Sequence, residues 1–234
     1  MKERGQYGIQ MTGLQIHEKN NFIYLTCALI VLIISAAVQD EVPRGLGHGF
    51  LNLVILGTFF VAFLSLNFGT HWRKFVLVLV ASWLVIVIAG EGLGIFDRTV
   101  PSLVTFLIFL MGEAYFAARG VLLSGRRVDR NIMIGALAMY LLIGLIWATI
   151  FLIILHFTPD AFRGIEVGDY ADNFSLAVYF SFVTMTSLGY GDISPAEPIA
   201  QVVTILAAIS GAFYMAVVVA TMVGARTRIQ NSNE

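Results

Sequence analysis

The sequence predicts an all-α integral membrane protein with six spanning helices, and three observations predict it. Of 234 residues, 58% are hydrophobic and only 12% charged, against about 25% charged in a soluble domain. Eighteen residues are Phe, and mean hydropathy is +0.84. Six apolar runs, at 22–38, 50–67, 74–90, 100–118, 132–157 and 197–224, approach the ~20 residues that cross a bilayer core. Too few charges remain to cover a water-facing surface. A net charge of −1 gives nucleic-acid binding no support. Cys27 is the single cysteine, so it forms no intrachain disulfide and suits no metal cluster. Neither a nucleophile–base set nor a phosphate loop is present, so an enzyme is not expected.

Residues 1–21 read as a charged cytoplasmic segment. The first run has Lys19 before it and "SAAVQD" at its end, as a cleaved leader has, but the charged stretch ahead of it is too long for one, so it reads as a span. Residues 22–118 then form a four-helix transmembrane domain. Its fourth run, "PSLVTFLIFLMGEAYFAARG", carries no basic residue before Arg119. Each charge moved through 100 mV supplies about 2.3 kcal/mol. With no movable charge here, steep voltage dependence is not expected. Glu113 is the odd residue of this run, because a carboxylate inside a membrane helix is a functional hypothesis by default. Arg119, Arg73, Lys74 and His71 are its candidate partners. An ion pair with Arg119 is one reading; proton or ligand sensing and simple snorkelling are the others.

Residues 119–131 form a basic cytoplasmic linker, 132–225 a second domain, and 226–234 a short cytoplasmic tail. With both termini on one side, that side holds Lys2, Arg4, Lys19, Arg73, Lys74, Arg119, Arg126, Arg127, Arg130, Arg226 and Arg228. The other side holds Arg44, Arg98 and Arg163. The positive-inside rule makes the termini cytoplasmic. Run five ends outside at His156, where a histidine either titrates as a sensor or sits plainly at the interface. A further apolar stretch, 173–185, is too short to span and reads as re-entrant. Such segments survive at membrane depth only when buried in protein or lining water. Asp172 and Asn173 precede "FSLAVYFSFVT" and are good helix caps. Asn173-Phe174-Ser175 matches a glycosylation pattern, but its place at a helix start argues against modification.

"TMTSLGYGDISP" follows at 184–195. A re-entrant helix, then "SLGYG", then a spanning helix resembles the pore module of the potassium-channel superfamily, over about residues 131–226. The resemblance implies an outer helix, a pore helix, a selectivity filter and an inner helix, assembled as a homotetramer around potassium ions and surrounded by membrane lipid, with no cofactor. Potassium must exchange its water shell for backbone carbonyls of Ser187, Leu188, Gly189, Tyr190 and Gly191. Gly189 and Gly191 supply backbone conformations that a Cβ resists. Ser187 adds a side-chain oxygen as innermost ligand. Leu188 and Tyr190 are expected to point away from the pore and pack into protein. Thr184 and Thr186 support the filter, and Asp192 sits at the outer mouth, where negative charge favours cations. Ser187 and Leu188 stand where threonine and valine are usual, and Val183 where some relatives carry a carboxylate that pairs with the filter aspartate. Asp192 therefore needs another partner or stays hydrated.

Gly211 sits mid-helix in the last run, where the family has a gating hinge; the other reading is a packing glycine. Met215, Val219 and Val223 follow it on one face and would line an apolar cavity. The loop "TPDAFRGIEVGDYADN" carries Asp160, Glu166, Asp169 and Asp172 against Arg163, an acidic mouth or an ordinary solvated loop. The expected function is passive potassium-selective conduction gated at the inner helix. The alternatives are a weakly selective cation channel and a subunit of a potassium-uptake transporter, whose members fuse four degenerate repeats in one chain. The layout suggests a prokaryotic inner membrane.

Overall fold

A computed structural model of the chain describes residues 22–39, 44–65, 70–92, 97–122, 130–166, 168 and 170–231. The segments 1–21 and 232–234 and most of the 119–131 linker lie outside the described residues. The described chain is almost wholly helical: α1 (Phe22–Gln39), α2 (Arg44–Ser65), α3 (Thr70–Val87), α4 (Thr99–Leu122), α5 (Arg130–Phe157), α6 (Tyr170–Met185) and α7 (Pro198–Asn231). A π-helical turn, Ile88–Gly92, continues α3. Two-residue strands, β1 (Phe162–Arg163) and β2 (Ser194–Pro195), flank α6 in sequence.

Three stretches are long and apolar enough to cross a membrane: Thr99–Arg119, Asn131–Phe157 and Pro198–Val218. The apolar helices Phe22–Val38, Gly49–Val61 and Lys74–Gly90 are shorter. The protein is a multi-pass membrane protein by its apolar helices.

Two of the membrane-capable helices, α4 and α7, have a local cause for where they start. Asp97 Oδ1 accepts from the Thr99 amide at 2.9 Å, capping α4, and Pro101 occupies its first turn, where a missing N–H costs nothing. α7 opens on Pro198 for the same reason, with the Glu197 carbonyl accepting from Gln201 at 2.9 Å.

The main core joins the four-helix unit to α5. α1 buries Leu25, Leu29 and Leu32 while exposing Ile30, Val31 and Ile34. Phe59 of α2 stands at its centre, 4.0 Å from the Phe109 ring, 6.2 Å from Trp83 and 6.4 Å from Phe106, centroid to centroid. α1 is tied to the start of α5 of the same chain: Asn131 Oδ1 accepts from the Phe22 amide, and Thr26 donates to the Ile134 carbonyl, both at 3.3 Å.

A second core holds α6 in a cradle of α5, β1 and α7. Phe151, Phe162 and Phe180 meet with centroids 5.1–5.5 Å apart. Gly144 lets α6 lie close on α5, because a Cβ there would meet the Phe182 ring. At the same level the buried Ser181 hydroxyl donates to the Gly144 carbonyl at 2.6 Å. Ser181→Ala leaves that carbonyl short of a partner and is expected to cost about 1 kcal/mol, read as a lower thermal unfolding temperature. An unchanged temperature would show that this bond does not hold α6. α7 is fastened to α5 by Trp147, whose indole N–H donates to Ser210 Oγ at 2.8 Å, and by Tyr214, whose hydroxyl donates to the Ala136 carbonyl.

Candidate functional site

The chain between α6 and α7 has a backbone unlike the rest. Ser187, Gly189 and Gly191 have φ of 58°, 55° and 82°, and the intervening Leu188 and Tyr190 do not have positive φ. Left-handed conformations therefore alternate along five residues. Glycine adopts them freely, and serine does so at a cost.

The inner end of this strip hangs on the end of α6. The Leu188 and Gly189 amides donate to the Val183 carbonyl at 3.0 and 3.4 Å, the Ser187 amide to Thr184 at 3.0 Å and the Thr186 amide to Phe182 at 3.0 Å. Thr186 also donates its hydroxyl to the Phe182 carbonyl at 2.7 Å. Among the described residues, no backbone amide donates to a carbonyl of 187–191. Residues 187–191 are exposed in the single chain, so this row of carbonyls is open to its surroundings.

The outer end is held by a ladder. β1 and β2 pair antiparallel, Phe162 opposite Pro195 and Arg163 opposite Ser194. Gly164, at φ 86°, lets this turn approach the Asp192 carbonyl, which a Cβ would strike. The Ala196 amide donates to the Ala161 carbonyl at 2.8 Å.

Asp192 has the partner that the sequence left open. The Tyr179 hydroxyl donates to its Oδ2 at 2.6 Å. That bond holds the Asp192 carboxyl below the usual carboxylate range. The Tyr179 ring also stacks on Tyr190, 6.5 Å between centroids and 4° between planes. In a single chain Tyr190 remains 67% exposed and Leu188 55% exposed. The protein into which they were expected to pack is therefore not supplied by their own chain beyond Tyr179.

Two sequence expectations need correction. α6 begins at Tyr170, so Asp172 and Asn173 lie within its first turn and do not cap it from outside. Asn173 is buried instead, its side-chain amide donating to the Glu166 carbonyl at 2.9 Å, which ties the turn to the preceding loop. Glu113 and Arg119 do not pair. Six positions along a helix point about 120° apart, and the structure leaves Arg119 exposed. Glu113 is fully buried on the α4 face that carries Phe106, Phe109 and Ala117, and neither carboxyl oxygen has a hydrogen-bond partner.

Gly211 is a contact position. α7 runs through it as one helix, and a Cβ there would lie 2.7 Å from Met185 Cα and 2.8 Å from Met185 C, at the very end of α6. Met215, one turn on, is half exposed. The Val219 and Val223 side chains lie outside the described residues. Much of α7 presents exposed apolar side chains, among them Val202, Ile205, Ile209 and Phe213.

Residues 136–227, covering most of α5, then α6, the alternating strip and most of α7, match a protein family described as ion channel. This segment is similar to an ion-channel domain. An ion-channel domain conducts ions passively, and the rest of the chain, α1 to α4, lies outside the match. No curated protein and no solved structure compared with the chain matches it.

Within the matched segment, Tyr179→Phe has a definite expected result. The lowered Asp192 value means that the Tyr179 tie is present above the ordinary carboxylate value of 3.8 and is lost as pH falls through the lower folded value. Without the hydroxyl, Asp192 titrates nearer that ordinary value. Ion flux through Tyr179→Phe should therefore fail at a higher external pH than wild type on acid titration. Coincident acid limbs would show that this tie does not support the conducting form.

Proposed function

We propose that the chain forms a potassium-selective channel in which four copies surround one pore and the 187–191 backbone is the filter. The observation that carries this reading is the alternation of φ at Ser187, Gly189 and Gly191 beside carbonyls that accept from no backbone amide. A chain that alternates in handedness turns successive carbonyls to one side. Such a row can replace a dehydrated ion's water, step by step. Potassium is the transported ion and sits at these carbonyls; the Ser187 hydroxyl would give the innermost oxygen.

One chain supplies one row, and closing a ring requires rotation about an axis. The exposed apolar residues of α7 and the exposed Leu188 and Tyr190 support a homotetramer, in which neighbouring copies cover them. α1 to α4 complete six spans, with both termini in the cytoplasm of a prokaryotic inner membrane. α4 lacks movable charges, so gating acts through the inner helix α7 without steep voltage dependence.

The test is reversal potential in planar bilayers, with purified protein and a potassium-against-sodium gradient. Reversal near the potassium equilibrium potential is expected. Reversal near zero with clear current would replace this reading with a weakly selective cation channel, which serine and leucine at 187 and 188 favour.

A further inference from the structure

The outer end of the four-helix unit grips the start of α6. Asp97 and Arg98 lead into α4. Arg98 Cζ lies 5.9 Å from the ring centroid of Tyr170, the first residue of α6. Tyr170 is buried, and its hydroxyl donates to Asn52 Oδ1 of α2 at 3.5 Å. Beside this contact, His156 Nε2 at the end of α5 lies 3.7 Å from Asp97 Oδ2. A cavity of about 60 Å³ opens beside His156, lined by Thr99, Tyr170 and Asn173 together with Leu152, Leu155 and Gly168. It is large enough for water, and so for proton exchange with the outside.

We propose that His156 and Asp97 form an external proton-binding site that fastens the four-helix unit to the outer end of α5, beside the first turn of α6. The site takes one proton, on the imidazole, and the resulting cation pairs with the carboxylate. Asp97 is suited to the partner role. Its carboxyl is held below the usual range, first by the Thr99 backbone amide and then by the Thr99 hydroxyl, so it stays charged while histidines in general titrate, between about pH 5 and 8. Among the described residues, the other charged or titratable groups on the surrounding elements are Arg98 ahead of α4, Asp172 and Tyr170 on α6, and Asp160, Arg163 and Glu166 in the segment after α5. The pairing contributes when the imidazole is protonated and is lost as external pH rises. The consequence for conduction rests on the channel reading: a firmer hold on the start of α6 favours the arrangement in which its far end carries 187–189.

The full chain in lipid nanodiscs tests the site without any current. Amide exchange of residues 170–174, corrected for intrinsic rates, is followed from pH 8 to 5.5. Exposed ion pairs typically shift an equilibrium by about two- to fivefold, so protection should rise by that factor on acidification. Asp97→Asn and His156→Gln should abolish the rise, and Asp160→Asn should keep it. A rise retained in Asp97→Asn, or no rise in wild type, overturns the site. Potassium flux in proteoliposomes, with only external pH varied, then tests the coupling. A similar increase in flux, lost in the same two variants, is expected. Flux that ignores external pH while protection responds overturns the coupling alone, and absence of flux at every pH counts against the channel reading alone.

Discussion

On the channel reading, Gly189→Ala is expected to destroy potassium selectivity while leaving the assembly intact. Gly189 has φ of 55°, and a Cβ there would meet nothing within 4 Å in its own chain. The cost is therefore conformational, about 1–2 kcal/mol for holding an L-residue left-handed. In a tetramer all four rows carry it together, so about 4–8 kcal/mol opposes the ring of carbonyls. The cheaper response is for the strip to relax to negative φ, which turns carbonyls out of the row. The end of α6, the β1–β2 ladder and the α5–α7 bonds lie elsewhere, so size in detergent should match wild type. Reversal potential reads the result, with a shift toward zero or loss of current expected. Wild-type selectivity in Gly189→Ala would remove the alternation of φ as the basis of the filter. Gly191→Ala, at φ 82°, should behave alike.

Gly211→Ala has the larger effect on stability. Its new methyl meets backbone, and backbone cannot rotate aside. α7 must move off the end of α6, which strains the Trp147–Ser210 bond one residue away and the Tyr214 bond to Ala136. Overpacking of this kind costs about 1–3 kcal/mol per subunit. A marked fall in thermal stability and in the yield of assembled protein is expected. Gly144→Ala is the useful contrast. There the methyl meets the ring of Phe182, a side chain that can turn, so the loss should be smaller. If Gly211→Ala unfolds like wild type but gates differently, the glycine serves bending and not contact.

The apolar helices were legible because long apolar runs have few other uses. Their inward faces were not. In α1, buried Leu25, Leu29 and Leu32 and exposed Ile30, Val31 and Ile34 are equally apolar, so no periodicity separates them. The alternating strip could be placed because two glycines around a tyrosine are rare between apolar helices. Its supports were harder to read. Tyr179 and Asp192 are thirteen positions apart on either side of a chain reversal, and β1 and β2 are too short for a period of two. The start of α6 was misplaced because Asp172 and Asn173 both have the chemistry of a cap, and nothing local showed that the helix begins earlier at Tyr170. Glu113 was given a basic partner by proximity in sequence, where helical geometry forbids the contact with Arg119.

The pairing of Phe162 with Pro195 also fixes an order of events during synthesis. It closes a loop that contains all of α6 and the whole alternating strip. Closing a loop costs entropy before its contacts repay it, and the closing strand emerges only after everything that it encloses. A nascent chain halted before Ser194 can therefore hold α6 against α5 through Ser181, but it cannot fix the outer end of the strip. The geometry of the strip is then fixed only once Ser194 and Pro195 have emerged, after α1 to α6 have been made and before α7.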